Sequence, residues 1–571
     1  MSDLEQRLRL DDTDGRRAIS SGFQLSRGAV LALALLAGFL LLASVRLVAH
    51  NLSAGIDEVA HIGAAAWLDA TGSNELNLEH PPLTKRMAGA AMHYGGVAPE
   101  LDVNGEPPDQ WDLGRALLVQ DGVVHRGRLD AARLPFSFLA LLGAAAVFGW
   151  ALSLFGRNAA LFALFLYALS PTIHAHGALV LTDLALGSFA VTAMALIWVA
   201  RGRRSMPLAI AGGMAMAAAV FSKYTGLMLV PLVLLLLLLE PVTIPSQRRV
   251  ESLLANLRIA AAAALGFVLA FAAIAAVNGG LGEYLQGVTM LGHNHRAVWQ
   301  YFAMGEFSQT GFLSYFPLTI GLKSTPVELG AWALALVAVA SAGRGLRASA
   351  APPVALVNMA WVLAFPLAYL AALMLQAPNI GHRYTVPVYP FLFVGAAAAM
   401  HLKLAPSWRA ATGVLLVLAQ GMVAWRSLPD PLAYFNGFAG CNGARAALCL
   451  DDSNVDWGQN MHRVWPAIEA RLGSEERPVV LLFSALPIDA YLPRFEPLLA
   501  SDWETPRAVL YVLSGHNVIR WWAAAPRLAE TALFRALDGA ESIGNNYFLL
   551  DLRAAPDGPG QRLEPTAPDP T

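Results

Sequence analysis

Charge is what this chain has least of. Asp, Glu, Lys and Arg make up 14% of its 571 residues while hydrophobic residues make up 56%, against about 25% charged residues in an ordinary soluble domain. That excludes a soluble globular protein and leaves a polytopic membrane protein. Neither sign is in excess: the net charge is −2, and no basic stripe interleaved with aromatics occurs, so nucleic acid is set aside as a partner. There is no GxGxxG after a strand and no GxxxxGK followed by Ser or Thr, hence no sign of a nucleotide pocket. No cleavable leader is expected either. The opening MSDLEQRLRLDDTDGRRAISSGFQLSRG, residues 1–28, is polar for too long and too acidic, so the apolar run behind it stays on the chain as a span. No repeat of paired, interrupted apolar segments is visible, which weighs against a transporter. Cysteine occurs only at 441 and 449.

What the chain does have is apolar runs. Crossing ~30 Å of hydrocarbon takes ~20 residues, and about eleven runs qualify, with latitude for tilt. They lie near 29–49, 134–154, 158–172, 182–200, 207–221, 225–240, 257–277, 317–342, 353–375, 387–402 and 410–426. Arg7, Arg9, Arg16, Arg17 and Arg27 predict a cytoplasmic N-terminus, because Lys and Arg are retained on that side. The loops with Arg157, with Arg201, Arg203 and Arg204, with Arg248 and Arg249, with Arg344 and Arg347, and with Lys403 and Arg409 then fall on the same side. The opposite, extracytoplasmic side receives 50–133, TIHAHGALVLTD at 172–183, FSKYTG at 221–226, 278–316, QAPNIGHRY at 376–384 and everything after 427.

The first outer loop opens on GIDEVAH, residues 55–61, and continues to NLEHPPLTKRMAGAAMHYGG at 77–96. Small and apolar residues at helical spacing predict a helix after Asp57, and Pro81 and Pro82 can begin a second that carries Lys85 and Arg86. Acids at a helix start are favoured by the dipole, so Asp57 and Glu58 have a purely structural explanation. Their company argues for a site: Glu79, His80, Lys85, Asp183, Lys223, Lys323, His382 and Arg383 all sit in or beside outer turns, and ionisable groups beside spans mark function. Asp183 can equally cap the span that follows it. The i,i+2 pairs His174/His176 and His293/His295 suit a metal only if a strand or loop presents both rings on one side; no metal and no cofactor is expected. DDTD at 11–14 reads as a solvated charge cluster on the cytoplasmic side.

Beyond 427 the composition changes. RPVVLLFSA, RAVLYVLSG and NNYFLLDLR read as strands and AAAPRLAETALFRAL as a helix, predicting a small α/β extracytoplasmic domain over 427–555 and a disordered end at 556–571. Both cysteines fall on this oxidising side, where a disulfide closing CNGARAALC is expected, two free thiols being the alternative.

Taken in order, DE with its following His61, then EHPPLTK, SPTIHAHGALVLTD, FSKYTG, GLKSTP, NIGHRYTVPVYPFLF, and LAYFNGFAG followed by LDDSNVDWGQ resemble one family over residues 50–460. It is the GT-C superfamily of membrane glycosyltransferases using a sugar on a polyprenyl phosphate, related to protein O-mannosyltransferases and aminoarabinose transferases. The resemblance implies a GT-C fold over 29–426 with the catalytic motifs in 50–133. It also implies an inverting transfer outside a bacterial inner membrane, from the lipid-phosphate-linked sugar to a hydroxyl of a glycan, lipid or protein. Asp57 would be the base, its basicity raised by apolar walls. Glu79 would orient the acceptor or share that role, and Glu58 is the weaker candidate because neighbouring helical residues point about 100° apart. Cations aimed at the leaving phosphate would be Lys85 and Arg383 first, then His80, His382, Lys223 and Lys323. His61 and Asp183 would touch or orient the acceptor. A lipid-linked donor also accounts for the missing nucleotide pocket. Two departures matter: Ala60, then His61, stands where aminoarabinose transferases have an arginine, and His80 where they have a lysine, so that specificity is not inherited. Asp451, Asp452 and Asp456 belong to the family pattern without an evident role. The competing readings are a transporter or flippase, and an inactive relative that binds a lipid carrier.

Overall fold

The computed structural model describes residues 25–240, 246–290, 300–344, 354–376, 378–438, 440–441 and 443–553. The expectations for DDTD, for His293 and His295, for Arg347 and for a disordered end at 556–571 lie outside the described residues.

The molecule is predominantly helical. Among the described residues six helices are long and apolar enough to cross a membrane: Arg27–Asn51, Arg126–Phe155, Asp183–Arg203, Arg248–Ala276, Val357–Gln376 and Pro406–Ser427. The total rises to eight if each of two bent pairs counts as one span. Each apolar run picked out in the sequence is helical, but several are not straight rods. The run at 158–172 is bent by 58° between Arg157–Ala168 and Pro171–Gly177, and the run at 317–342 by 112° between Tyr315–Lys323 and Pro326–Ser341. Proline at the first position of a helix is tolerated, whereas further inside it removes a hydrogen bond to the preceding turn, so each proline restarts a helix. At the second bend Thr325 and Glu328 complete the restart with a capping box, Glu328 N donating to Thr325 Oγ1 at 3.0 Å and Thr325 N to Glu328 Oε2 at 2.8 Å. The run at 387–402 divides into a 3-10 turn His382–Val388, an α-helix Tyr389–Ala396 and a second 3-10 turn Ala397–His401. Met206–Ser222 and Tyr224–Leu239 are shorter apolar helices.

Small residues let these helices approach closely. A Cβ on Gly213 would lie 1.9 Å from Ala263 O, and one on Gly266 2.1 Å from Ile210 O, the close backbone contact that drives helix association without a hydrophobic effect. Segment 50–133 follows the same rule. Its expected helices are Ile56–Thr71 and Leu83–Tyr94, and it adds a third, Gln110–Leu118, and a two-stranded hairpin of β1 (Val119–Gln120) and β2 (Val123–Val124). The third helix touches the first backbone to backbone, a Cβ on Gly114 being only 2.0 Å from Val59 O. A second hairpin joins β3 (Tyr301–Ala303) to β4 (Glu306–Ser308).

The C-terminal residues form a five-stranded mixed sheet, in the order β6 (Glu496–Pro497), β5 (Val479–Leu481), β7 (Leu510–Ser514), β9 (Tyr547–Asp551), β8 (Glu541–Ile543). β5 runs parallel to β6 and β7, while β9 is antiparallel to β7 and β8. Side chains alternate between two buried faces, Tyr511, Leu513, Phe548 and Leu550 on one, Leu510, Val512 and Leu549 on the other. The three expected strands are present. The expected single helix AAAPRLAETALFRAL is instead a 3-10 turn Pro526–Glu530 and a short helix Ala532–Ala536, interrupted at Thr531. Cys441 and Cys449 are joined by a disulfide.

Candidate active site

Asp57 and Glu58 both stand in the first turn of Ile56–Thr71, but their side chains part there. Glu58 is fully buried, and its carboxylate accepts from Arg133 Nε at 2.9 Å and Nη2 at 2.6 Å, from Gly55 N at 2.9 Å and from Val180 N at 2.9 Å. Arg133 also donates to Ala49 O, Leu52 O and Ser53 O, the unsatisfied carbonyls at the C-terminal end of the first helix. With every donor and acceptor of this pair engaged, Glu58 holds the turn together and is withdrawn as a proton acceptor. Asp57 faces elsewhere. It is 23% exposed and forms an ion pair with Arg383.

Arg383 belongs to a row of charges organised around one ring. Its guanidinium carbon lies 5.2 Å from the centre of Tyr384 and 4.8 Å from that of Trp457, while Lys223 Nζ lies 4.5 Å from Tyr384. Lys223, at the C-terminal end of Met206–Ser222, is itself paired with Asp183, which opens Asp183–Arg203. Two acid–base pairs, Asp57 with Arg383 and Asp183 with Lys223, therefore flank Tyr384. Four distant stretches of chain meet here, each at a helix end or break.

The remaining expected cations have other employment. Lys85 is buried, and its ammonium donates to Asn77 O at 2.5 Å, Asn77 Oδ1 at 2.8 Å and His80 O at 2.8 Å. All three protons are used to hold the 77–80 loop, so Lys85 is corrected from a phosphate ligand to a support. Lys323 is likewise spent on Leu432 O at 2.8 Å and Asn454 O at 2.6 Å. The His382 ring contacts Thr385 Oγ1 at 3.0 Å and Thr172 Oγ1 at 3.4 Å, and its backbone N–H donates to Asn454 Oδ1 at 2.8 Å. Burial drives its imidazole well below the usual range, so it supplies no positive charge. His80 is neutral for the same reason, burial and then the neighbouring His61 and Lys85 lowering it strongly. Both histidines are therefore corrected as phosphate-binding cations.

His61 lies one helical turn after Asp57, its ring 4.7 Å from that of His80, and burial takes it down to about 4. Neither His61 Nδ1 nor His80 Nδ1 has a hydrogen-bond partner among the described residues. Glu79 Oε1 accepts from Asn77 Nδ2 and Gln110 Nε2, each at 3.3 Å, long bonds that leave the carboxylate lightly held. His174 and His176 stand on one helix, Pro171–Gly177, where i,i+2 side chains diverge. Among the described residues no group of three or more His, Cys, Asp or Glu is gathered for a metal.

Sequence reasoning passed over Arg133, Tyr384 and Trp457, and it left DDSNVDWGQ without a role. That stretch is the far wall of the site. Ser453 Oγ donates to Ile380 O at 2.7 Å and Asn454 Oδ1 receives His382 N, while Trp457 O and Gln459 O accept from Ile56 N at 3.1 Å and Ser53 N at 2.8 Å. One segment thus registers Asp57 and Arg383 against each other. It is fixed from behind by the end of β7, the residue before β9 and the helix Gly515–Ala524: Asp456 accepts from Ser514 Oγ at 2.5 Å and Asn546 Nδ2 at 2.9 Å, and Asp451 pairs with His516 Nδ1 at 2.9 Å and with Arg520.

The family model for dolichyl-phosphate-mannose-protein mannosyltransferase matches residues 34–276. Among solved structures, the chain is similar to ArnT from Cupriavidus metallidurans bound to undecaprenyl phosphate, with 16% identity over 94% of this chain and 100% of that one and a TM-score of 0.45. It is similar also to the Archaeoglobus fulgidus oligosaccharyltransferase in complex with Zn and sulfate, with 13% identity over 87% of this chain and 70% of that one and a TM-score of 0.45. A third similarity is to the S. cerevisiae protein O-mannosyltransferase Pmt1-Pmt2 complex bound to the sugar donor, with 17% identity over 51% of this chain and 40% of that one and a TM-score of 0.35. No curated protein matches the sequence.

Proposed function

We propose that this chain is an inverting glycosyltransferase of the GT-C type that moves a hexosyl or pentosyl group from a polyprenyl-phosphate carrier to an acceptor hydroxyl. The observation that carries this reading is the row Asp57, Arg383, Tyr384, Lys223, Asp183 at one end of the helices. The mannosyltransferase family match, which covers the residues supplying Asp57, Asp183 and Lys223, supports it. Arg383 lies beyond that match.

The chemistry follows from the charges. Asp57 takes the proton of the acceptor O–H as the acceptor oxygen bonds to the anomeric carbon from the side opposite the phosphate. The bond from that carbon to the phosphate oxygen breaks, and its electron pair stays on the phosphate. Arg383 and Lys223 stabilise that growing charge without surrendering a proton, which is where fixed cations act most strongly. Glu79 and the neutral rings of His61 and His80 form a hydroxyl-binding wall beside the base, each imidazole offering one donor and one acceptor. Charge gathered at one end suits a reaction at the membrane surface better than alternating access across the midplane.

We place the site on the extracytoplasmic face of a bacterial inner membrane, with a cytoplasmic tail over 1–28, the catalytic membrane domain over 29–426 and an outer α/β unit over 427–555. The acceptor is a glycan, lipid or protein hydroxyl. Transfer from a labelled polyprenyl-phosphate sugar pool, measured in membranes with wild type and Asp57→Asn at matched expression, tests the reading. Loss of roughly a hundredfold or more with carrier binding retained is expected; unchanged transfer would move the base elsewhere, and no transfer by wild type from any donor would bring back the carrier-binding relative.

A further inference from the structure

Arg383 is claimed twice. It is paired with Asp57 in the structure, yet transfer requires it at the leaving phosphate. A carboxylate bonded to a guanidinium is a poor base, because protonating it discards a favourable charge pair. Asp57 is therefore engaged by the residue that the donor needs. Arg383 Nε has no hydrogen-bond partner among the described residues. Its guanidinium carbon lies over the rings of Trp457 and Tyr384, and a guanidinium meets an anion through its N–H edge. Lys223, held by Asp183 across the Tyr384 ring, is not shared with the base.

Building on the glycosyl-transfer reading, we propose that Arg383 couples donor binding to base activation: the donor phosphate draws Arg383 away from Asp57 and so frees the base only when the sugar is in place. An acceptor bound alone meets a carboxylate still held by Arg383. With donor present, the phosphodiester carries one charge and competes for Arg383; as the sugar–phosphate bond breaks, the phosphate gains a second charge and competes better. The acceptor proton then sits on Asp57, which no longer attracts the guanidinium. When that proton leaves to solvent, Asp57 recovers Arg383 and the carrier phosphate is released. Sugar transfer thus resets its own switch.

The competition is measurable without catalysis. In the detergent-solubilised full chain, binding of farnesyl monophosphate, an analogue of the released carrier, is titrated for wild type, Asp57→Asn, Arg383→Gln and the double variant. Removing the competing carboxylate should tighten binding by roughly twofold to fivefold, the scale of one partly exposed ion pair. Gained affinity cannot arise from misfolding. In the Arg383→Gln background the same Asp57→Asn change should give no tightening. Equal or weaker binding by Asp57→Asn would overturn the coupling, as would a tightening of the same size without Arg383, which would mean simple repulsion between carboxylate and phosphate. Failure of wild type to bind the probe at all would instead sink the donor-site reading, and the coupling with it.

Discussion

Two adjacent carboxylates take opposite roles because of one arginine. Arg133 buries Glu58 in a complete hydrogen-bond set, while Asp57, a third of a turn away, keeps an edge toward solvent. Removing one member of a buried, bonded ion pair strands the other, at about 3–5 kcal/mol. Glu58→Gln should therefore lower the melting temperature of the solubilised chain by several degrees, with transfer falling only as folded protein is lost. Asp57→Asn should keep the melting temperature and lose transfer; a reversal of these two patterns would exchange the roles assigned here. The acidic pair was legible in GIDEVAH, as was the divergence of neighbouring helical residues. Which of the two is buried was not, since Arg133 lies 75 residues on. Lys85 misleads for a related reason: a lysine after a double proline looks available, and only the folded 77–80 loop shows its three protons spent.

At the scale of elements, the site is made where apolar runs fail. Pro171 and Pro326 interrupt segments that hydropathy alone joins, and Asp183, Lys223 and Arg383 stand at helix ends or in a 3-10 turn. The prolines and the Thr325–Glu328 capping pattern were in plain view, but counting spans rewards continuity and hides them. The tightest joint is between Gly381 and Ser453. Gly381 has extended backbone that any residue adopts, so glycine is required there by proximity: a Cβ would meet Ser453 Oγ at 1.7 Å. Gly381→Ala should push the 380–383 turn off the 451–457 segment, misaligning Arg383 with Asp57 and lowering kcat by up to roughly a hundredfold, the scale on which misplacements of about 1 Å are felt. Ser453→Ala removes the obstructing oxygen and should restore part of the loss in the double variant. If the double variant were no better than Gly381→Ala alone, contact with Ser453 would not be what makes the glycine necessary.

Over the whole molecule, the 451–457 segment links the sheet to the site, its back held by Asp451 and Asp456 and its front formed by Asn454 and Trp457. Strands could be read from alternation; their attachment could not, because it depends on His516 and Arg520 meeting Asp451 across 65 and 69 residues. The attachment carries a pH signature. Burial works against a charged His516, but the Asp451 carboxylate overrides it and the imidazole ends above its ordinary value. A base raised on folding stabilises fully below its unfolded value, about 6.5, and that contribution is lost as pH rises through the folded value. Other buried groups, such as His61 and Lys85, titrate as well, so the quantity to follow is the difference between wild type and His516→Gln, in which they cancel. That difference in melting temperature should be largest near pH 6 and shrink steadily toward pH 9. A difference independent of pH would mean that His516 serves by shape and hydrogen bonding alone, with Arg520 supplying all the charge that Asp451 requires. A shrinking difference accompanied by a parallel loss of transfer at high pH would tie the sheet to catalysis, because Asp451 lies three residues before Asn454, which holds His382 beside Arg383.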